Sequence, residues 1–495
     1  MTLQKTDCIP EQFKFEQVKS YPVIVNFQGE AVTSDAGLTL IAELDRKRKI
    51  TLRLSQCFKD YREQKKVEHS VSSLIAQRIY GLIMGYEDIN DHETLGQDLI
   101  FALAVGQGIN SKLESMTLAG KSTLNRLEHC PENVTSKAES RYHRIEHDTS
   151  AIETLLMEIF LESYSSPPRQ ITLDLDVTDD LVHGHQEEVF FNPYYRGYCY
   201  APLYIFCGQH LLAAKLRASN VDPAEGALEE LQRIIKLIRS CWSNVKILIR
   251  GDSAYSREEI MAWCESQREI DYVFGLAQNS RLIQLSQSIK YRASQEYKQK
   301  LQPVVEFFES LFAPSPDLHL GATEFVKNSV WYSSLNYKTL YSWSRNRRVV
   351  AKVEYSNQGV DTRFVVTSLP IKKIPPRKLY TEKYCPRGNM ENCLKEQKLE
   401  LKSDRTSTHT FAGNQLRLWF SSVAYIFMNA LREQCLAKTE LQNATVGTIR
   451  TRLLKLGATI TVNSRKFLIS ISSSCPYKEI FALVYNYLSL LPCPN

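Results

Sequence analysis

The sequence predicts an α/β protein built on a mixed β-sheet, with a helical region before the sheet and a second block of strands inserted into it. Three stretches carry that prediction. In Gln170–Asp179, Ile171, Leu173, Leu175 and Val177 alternate with Thr172, Asp174, Asp176 and Thr178, the period of a strand with one apolar and one acidic face. Val245–Gly251 is a nearly continuous apolar run, as a strand covered on both faces requires. From about 325 to 369 the β period returns in KNSVWYSSLNYKT, RRVVAKVEY and TRFVVTSL, with Asn357-Gln-Gly359 as a turn.

In chain order, residues 1–168 read as a mostly helical region after one strand at Val23–Phe27. Apolar residues in SVSSLIAQRIYGLIMGYEDI recur at helical spacing, and INDHE punctuates them. After the Gly120 break, Lys121–Glu128 reads as a short helix capped by Ser122, with Asn125 and Arg126 facing outward. Residues 148–165 are helical, and Ser165–Pro168 is a linker. Residues 169–280 hold the opening strand, further strands near 187–192, 200–207 and 210–217, a helix over Pro223–Trp242, the 245–251 strand, a helix over Ser256–Gln267 and a strand at Tyr272–Leu276. Residues 281–370 begin partly helical, pass the punctuation Ala313–Pro316 and become β-rich. Residues 371–440 return to helix, which begins near Pro386 because a first-turn proline is tolerated. Residues 441–495 read as a short basic helix with Arg450, Arg452 and Lys455, then a hairpin.

A chain of 495 residues suits two to four domains, and its 43% hydrophobic content is that of a globular protein. The net charge of +6, from 61 cations against 55 anions, leans toward nucleic acid without establishing it. The start has no apolar leader region, and no apolar run approaches the roughly 18–20 residues that span a bilayer. The 12 cysteines include no CxxC pair, which fits reduced thiols in a cytosol rather than a disulfide frame or a zinc site. Ala119–Thr123 looks like the tail of a phosphate-binding loop, but Ser115 stands where that loop needs glycine, so no nucleotide cofactor is expected. His183-Gly-His185 lacks partners at zinc spacing and reads as a turn or a site rim.

The chemistry concentrates in KYCPRGNMENCLKEQK. On a helix, offsets of 3, 7 and 14 return Tyr384, Arg387, Glu391 and Lys398 to one stripe. A phenol, a guanidinium, a carboxylate and an ammonium on one stripe cannot form a core face, since such groups are rarely buried unpaired. One acid flanked by cations suits a metal ligand beside a polyanion. The spacing resembles the YREK signature of DDE transposases from bacterial insertion sequences and matches it at all four positions. The element order resembles an RNase-H-like core: three strands, helix, strand, helix, strand and a later helix.

That resemblance covers roughly 170–440 and implies a catalytic trio of Asp176 on the opening strand, Asp252 just after the fourth strand and Glu391 on the late helix. Asp174 is the alternative first acid, since it shares a face with Asp176. The 325–369 strands become a β-rich insertion before the last catalytic helix, and 1–168 a helical region that binds DNA ends. The resemblance implies two Mg²⁺ or Mn²⁺ ions, which prefer oxygen ligands. It also implies cleavage and strand transfer at the inverted repeats of an insertion sequence, double-stranded DNA as partner, a homodimer in the DNA complex and a nucleoid-associated bacterial cytoplasmic protein. Arg387 and Lys398 would position phosphates, and Tyr384 would meet the DNA backbone. Two further candidates come from the residues themselves: Trp343 and Arg347 in an aromatic-basic stretch suited to stacking and phosphate contact, and Asn125 with Arg126 on the short helix. The rival readings are a non-transposing nuclease of the same fold and a DNA-binding derivative without chemistry.

Overall fold

A computed structural model of the chain describes residues 12–18, 21–26, 29–106, 118–131, 144–312, 321–462 and 466–492. It divides into two compact units, the larger formed by Thr51–Glu87 and Ser122–Ala430, the smaller by Met1–Ile50, Asp88–Lys121 and Leu431–Asn495. The punctuation at Ala313–Pro316 lies outside the described residues.

The larger unit is organised by one eight-stranded sheet. Its strands are β1 (Gln170–Val177), β2 (Leu203–Cys207), β3 (His210–Lys215), β4 (Lys246–Gly251), β5 (Ile270–Leu276), β6 (Ser329–Tyr337), β7 (Arg347–Ser356) and β8 (Gly359–Thr367). Their spatial order is β3-β2-β1-β4-β5-β8-β7-β6. β4 runs parallel to both β1 and β5, and the other neighbours are antiparallel. The first five strands therefore have the 3-2-1-4-5 order of an RNase-H-like core. Parallel neighbours need crossovers, and the helices α1 (Ala227–Cys241) and α2 (Glu258–Ser266) provide them. The later strands do not form a separate sheet: β8 pairs with β5 from Val273↔Thr367 to Leu276↔Phe364 and extends the core sheet.

Alternation decides what each face of the sheet meets. Ile171, Leu173 and Leu175 of β1, Ile247 and Ile249 of β4, and Tyr272 and Phe274 of β5 enter the main core with α1 and α2. The opposite face carries Leu248, Val273, Val350 and Val365, packed under Leu379 and Tyr380. Thr172, Asp174 and Asp176 point to this second face by parity. The exposed edge of β3 is managed by the buried helix α4 (Phe411–Ala430), where the Gln415 side chain accepts from Leu216 N at 2.7 Å and donates to Ala214 O at 3.1 Å. The segment bearing the four-residue stripe, labelled α3 over its regular part (Gly388–Lys395), precedes α4.

The stripe does not lie on a uniform helix starting near Pro386. Helical turns begin at Pro376–Lys378, widen to a π-turn at Leu379–Tyr384, tighten at Cys385–Arg387, run through α3 and widen again at Glu396–Glu400. Ser122 does not cap its helix, which already includes Lys121 and spans Lys121–Glu128. The single strand expected at 200–207 is two: Gly197–Tyr200 joins Asp180–Leu181 and Phe190–Asn192 in a small three-stranded sheet, and β2 begins at Leu203.

In the smaller unit, the hairpin Ala458–Val462/Phe467–Ile471 gains Val32–Thr33 as a third strand. Helix Leu38–Arg48 contacts a C-terminal helix, Lys478–Leu490, that the sequence pattern did not announce. Lys455 of the basic stripe is spent on buried Asp35, at 2.7 Å. Among the described residues, no helix is long and apolar enough to cross a membrane.

Candidate active site

Three acids from three elements meet in the larger unit. Asp176 projects from the end of β1, half-buried, with its Oδ1 accepting from Val177 N at 3.0 Å. Asp252 follows β4 and caps the short turn Ser253–Tyr255, its Oδ1 accepting from Ala254 N at 2.9 Å. Glu391 lies in the first turn of α3 and is exposed. All three line one cavity of about 460 Å³ with Arg387, Thr178, Asn192, Tyr194 and Tyr195. A second cavity of about 550 Å³ shares Asp252, Arg387 and Glu391, and its further lining includes Gly275, Arg363, Tyr380 and Tyr384. Both cavities border the C-terminal end of β4, where Asp252 emerges, and the first also borders the end of β1.

Arg387 stands between the acids. Its Nη1 donates to Asp176 Oδ2 at 3.0 Å and its Nη2 to Glu391 Oε1 at 2.9 Å. Burial pushes the Asp176 carboxyl up to about 6, Arg387 opposes that rise, and the nearby charges of Asp252 and Glu391 add to it. The cluster thus holds more negative charge than one guanidinium offsets. Among the described residues, no three His, Cys, Asp or Glu side chains are grouped closely enough to hold one metal ion as they stand. The donor chemistry nevertheless suits a hard divalent ion, since carboxylate oxygens from three separate elements are turned toward one water-accessible cavity.

Asp174 shares the face of Asp176 but not its freedom. It is buried and doubly gripped by Arg250, through Nε and through Nη2 at 2.7 Å to Oδ2. Arg250 also donates to Lys383 O at 2.8 Å, which ties β4 to the segment covering it. Burial pushes the Asp174 carboxyl up and Arg250 draws it back.

The remaining stripe residues have definite places. Tyr384 packs against Tyr380, with 5.5 Å between ring centroids. Its hydroxyl lies where a Cβ on Gly275 would be, 2.8 Å from it, and Ser253 N would be 2.9 Å away. Glycine on β5 therefore admits both the tyrosine and the Asp252 turn, and an isolated glycine within a strand pattern was the signal that could have marked it. Lys398 reaches the turn after β1, donating to Asp179 Oδ1 at 2.9 Å and to the Asp179 carbonyl. Its charge braces that turn against the helix. Asp180 next to it is fully buried, with neither carboxylate oxygen hydrogen-bonded, and burial pushes it well above the ordinary range.

Two expectations need correction. Trp343 is only 4% exposed and packs against Tyr337, so its ring is not offered to a base. Arg347 is held in the interior by Glu258 and Glu265, with Nη1 2.5 Å from Glu258 Oε2 and Nε 2.8 Å from Glu265 Oε1. Both belong to the core because carboxylates from α2, far earlier in the chain, neutralise the arginine. Asn125 and Arg126 do face outward on Lys121–Glu128, whose Leu124 and Leu127 are buried and whose Glu128 pairs with Arg78 at 2.6 Å.

No curated protein matches the chain. Among solved structures, a cryo-EM structure of the piggyBac transposase synaptic complex with hairpin DNA is similar at 10% identity and a TM-score of 0.31, over 89% of this chain and 86% of that one. At that score no detail carries over. The family described as Transposase DDE domain group 1 matches residues 15–493, nearly the whole sequence, and the chain belongs to that DDE transposase family.

Proposed function

We propose that this member of the family is an active transposase that cuts DNA at the terminal inverted repeats of its own element and joins the freed 3′-OH to target DNA. The observation that carries the reading is the convergence of Asp176, Asp252 and Glu391, from the end of β1, the turn after β4 and the first turn of α3, on one open cavity. In this reading those acids hold two Mg²⁺ or Mn²⁺ ions. Bound there, the ions would supply Lewis-acid activation of the attacking oxygen and stabilise the leaving one. Asp176 is preferred to Asp174 because it lines the cavity, whereas Asp174 is buried under Arg250 and does not.

The chain's own groups do the positioning. Arg387, with its planar fork beside two of the acids, is placed to grip the phosphate flanking the cut. Tyr384, seated over Gly275, fixes how the stripe meets the Asp252 turn and borders the DNA path. Lys398 holds the turn after β1, so that its charge sits beside that path while Asp176 stays aimed into the cavity. Asn125 and Arg126 offer an outward contact for DNA, and the helical segments within 1–168 are the candidate end-binding region. Two copies of the chain would hold the two element ends.

The test is incubation of the protein with Mg²⁺ and supercoiled plasmid carrying the DNA that flanks its gene. Excision at inverted repeats is the expected result. Random nicking would replace the reading with a nuclease, and retardation of the DNA without cleavage would replace it with a binding protein.

A further inference from the structure

We propose that Arg387 is an internal counter-cation that competes with the divalent ion for Asp176 and Glu391, and that a DNA phosphate relieves this competition. The inference rests on the DDE reading above and concerns how that site is loaded. Arg387 spends one terminal nitrogen on each acid, at 3.0 and 2.9 Å, and so spans the gap between the first and third members of the trio. It lines both cavities that flank the acids, together with Asp252, Ser253 and Glu391. A divalent ion drawing on Asp176 Oδ2 and Glu391 Oε1 would lie within a few ångström of a full positive charge, and like charges at such range repel strongly. The ion and the guanidinium therefore cannot share these oxygens.

The guanidinium has somewhere to go. Arg387 ends the tight turn Cys385–Arg387, set between a π-turn and α3, and such mid-helix irregularity often marks a hinge. A phosphodiester presents two oxygens in the spacing that the arginine fork matches. A phosphate that takes the fork leaves the two carboxylates to the ion, and by reciprocity a bound ion strengthens the grip on phosphate. The device would couple metal loading to DNA and spare the cell an armed nuclease.

The experiment measures Mn²⁺ affinity by electron paramagnetic resonance, without cleavage as a readout, in the wild type, Arg387→Met, Arg387→Lys and Asp176→Asn. Each is measured alone and with a short duplex cut from the DNA flanking the gene. Arg387→Met should bind Mn²⁺ more tightly than wild type without DNA, by about 5- to 150-fold, the usual span of coupling between two ligands. The duplex should tighten Mn²⁺ binding in the wild type and leave Arg387→Met unchanged. Arg387→Lys, which keeps the charge, should resemble wild type without DNA and guards against misfolding of the methionine variant. Equal or weaker Mn²⁺ binding by folded Arg387→Met, or a wild type indifferent to the duplex, overturns the proposal. Mn²⁺ binding untouched by Asp176→Asn would instead overturn the DDE reading beneath it.

Discussion

Arg347 and Arg387 each bridge two carboxylates, yet the two regions do opposite things. Arg347 uses Nε, Nη1 and Nη2 on Glu258 and Glu265 and lies 5.4 Å from the Trp343 ring, with 2% of its side chain exposed. Arg387 makes one contact with Asp176 and one with Glu391, has 21% of its side chain exposed and borders two cavities. The first arrangement exhausts its donors and acceptors and becomes a strut between α2 and β7. The second leaves carboxylate lone pairs and guanidinium N–H groups facing water, the first suited to a cation and the second to a phosphate. What separates a strut from a site is the number of unsatisfied groups with solvent access, not the presence of arginine and acid.

The largest expected effect breaks the strut. Arg347→Ala takes a buried guanidinium from Glu258 and Glu265; Ser344 still donates to Glu258, and Tyr272 and Arg345 to Glu265, so the loss falls at the low end for one partner of a buried pair, about 3 kcal/mol. Denaturant unfolding should show that loss, whereas Arg387→Ala, whose contacts are open to solvent, should cost only about 0.2–1 kcal/mol, the range for solvent-accessible ion pairs. In single-turnover cleavage the order reverses: Arg387→Ala falls steeply and Arg387→Lys recovers only part, because an ammonium lacks the fork. Similar stability losses in the two alanine variants would erase the distinction.

Gly275→Ala sharpens it from the other side. The added methyl meets the Tyr384 hydroxyl and the Ser253 amide below 3.0 Å, so either the stripe or the Asp252 turn must shift. Overpacking of this kind costs about 1–3 kcal/mol. Cleavage should fall more than end binding in that variant, and gel retardation beside cleavage rates checks it. The smallest effect concerns Asp180, buried and unpaired beside the bracing Lys398. A carboxyl raised in the folded state binds more protons folded than unfolded, so stability falls as pH climbs above its unfolded value near 3.9. Asp180→Asn removes that loss: its melting temperature should exceed wild type at pH 7, and the two should converge toward pH 3.

Much of the sheet was legible because strand parity and apolar runs are local. The alternation in Gln170–Val177 and the continuous Lys246–Gly251 run mark β1 and β4, and their ends place Asp176 and Asp252 before any coordinate is known. The remainder depends on partners distant in sequence. Arg250 distinguishes Asp174 from Asp176, and nothing within β1 announces it. Arg347 looked solvent-facing because Glu258 and Glu265 lie 82 or more residues upstream. The π and tight turns that interrupt 376–400 have no periodic signal, and the β6–β8 strands gave no hint that β8 would pair with β5.

The claim that most needs testing is that Asp176, Asp252 and Glu391 form one metal-dependent cutting centre. The measurement is single-turnover cleavage of end DNA in Mg²⁺ by Asp176→Asn, Asp252→Asn, Glu391→Gln and Asp174→Asn, with end binding recorded in parallel. A carboxamide keeps the shape and loses the charge a divalent ion requires. The first three variants should bind ends within a few fold of wild type and cut at background, while Asp174→Asn loses stability but retains cleavage in whatever fraction stays folded. Full cleavage by Glu391→Gln, or cleavage kept in Asp176→Asn and lost in folded Asp174→Asn, would contradict the account.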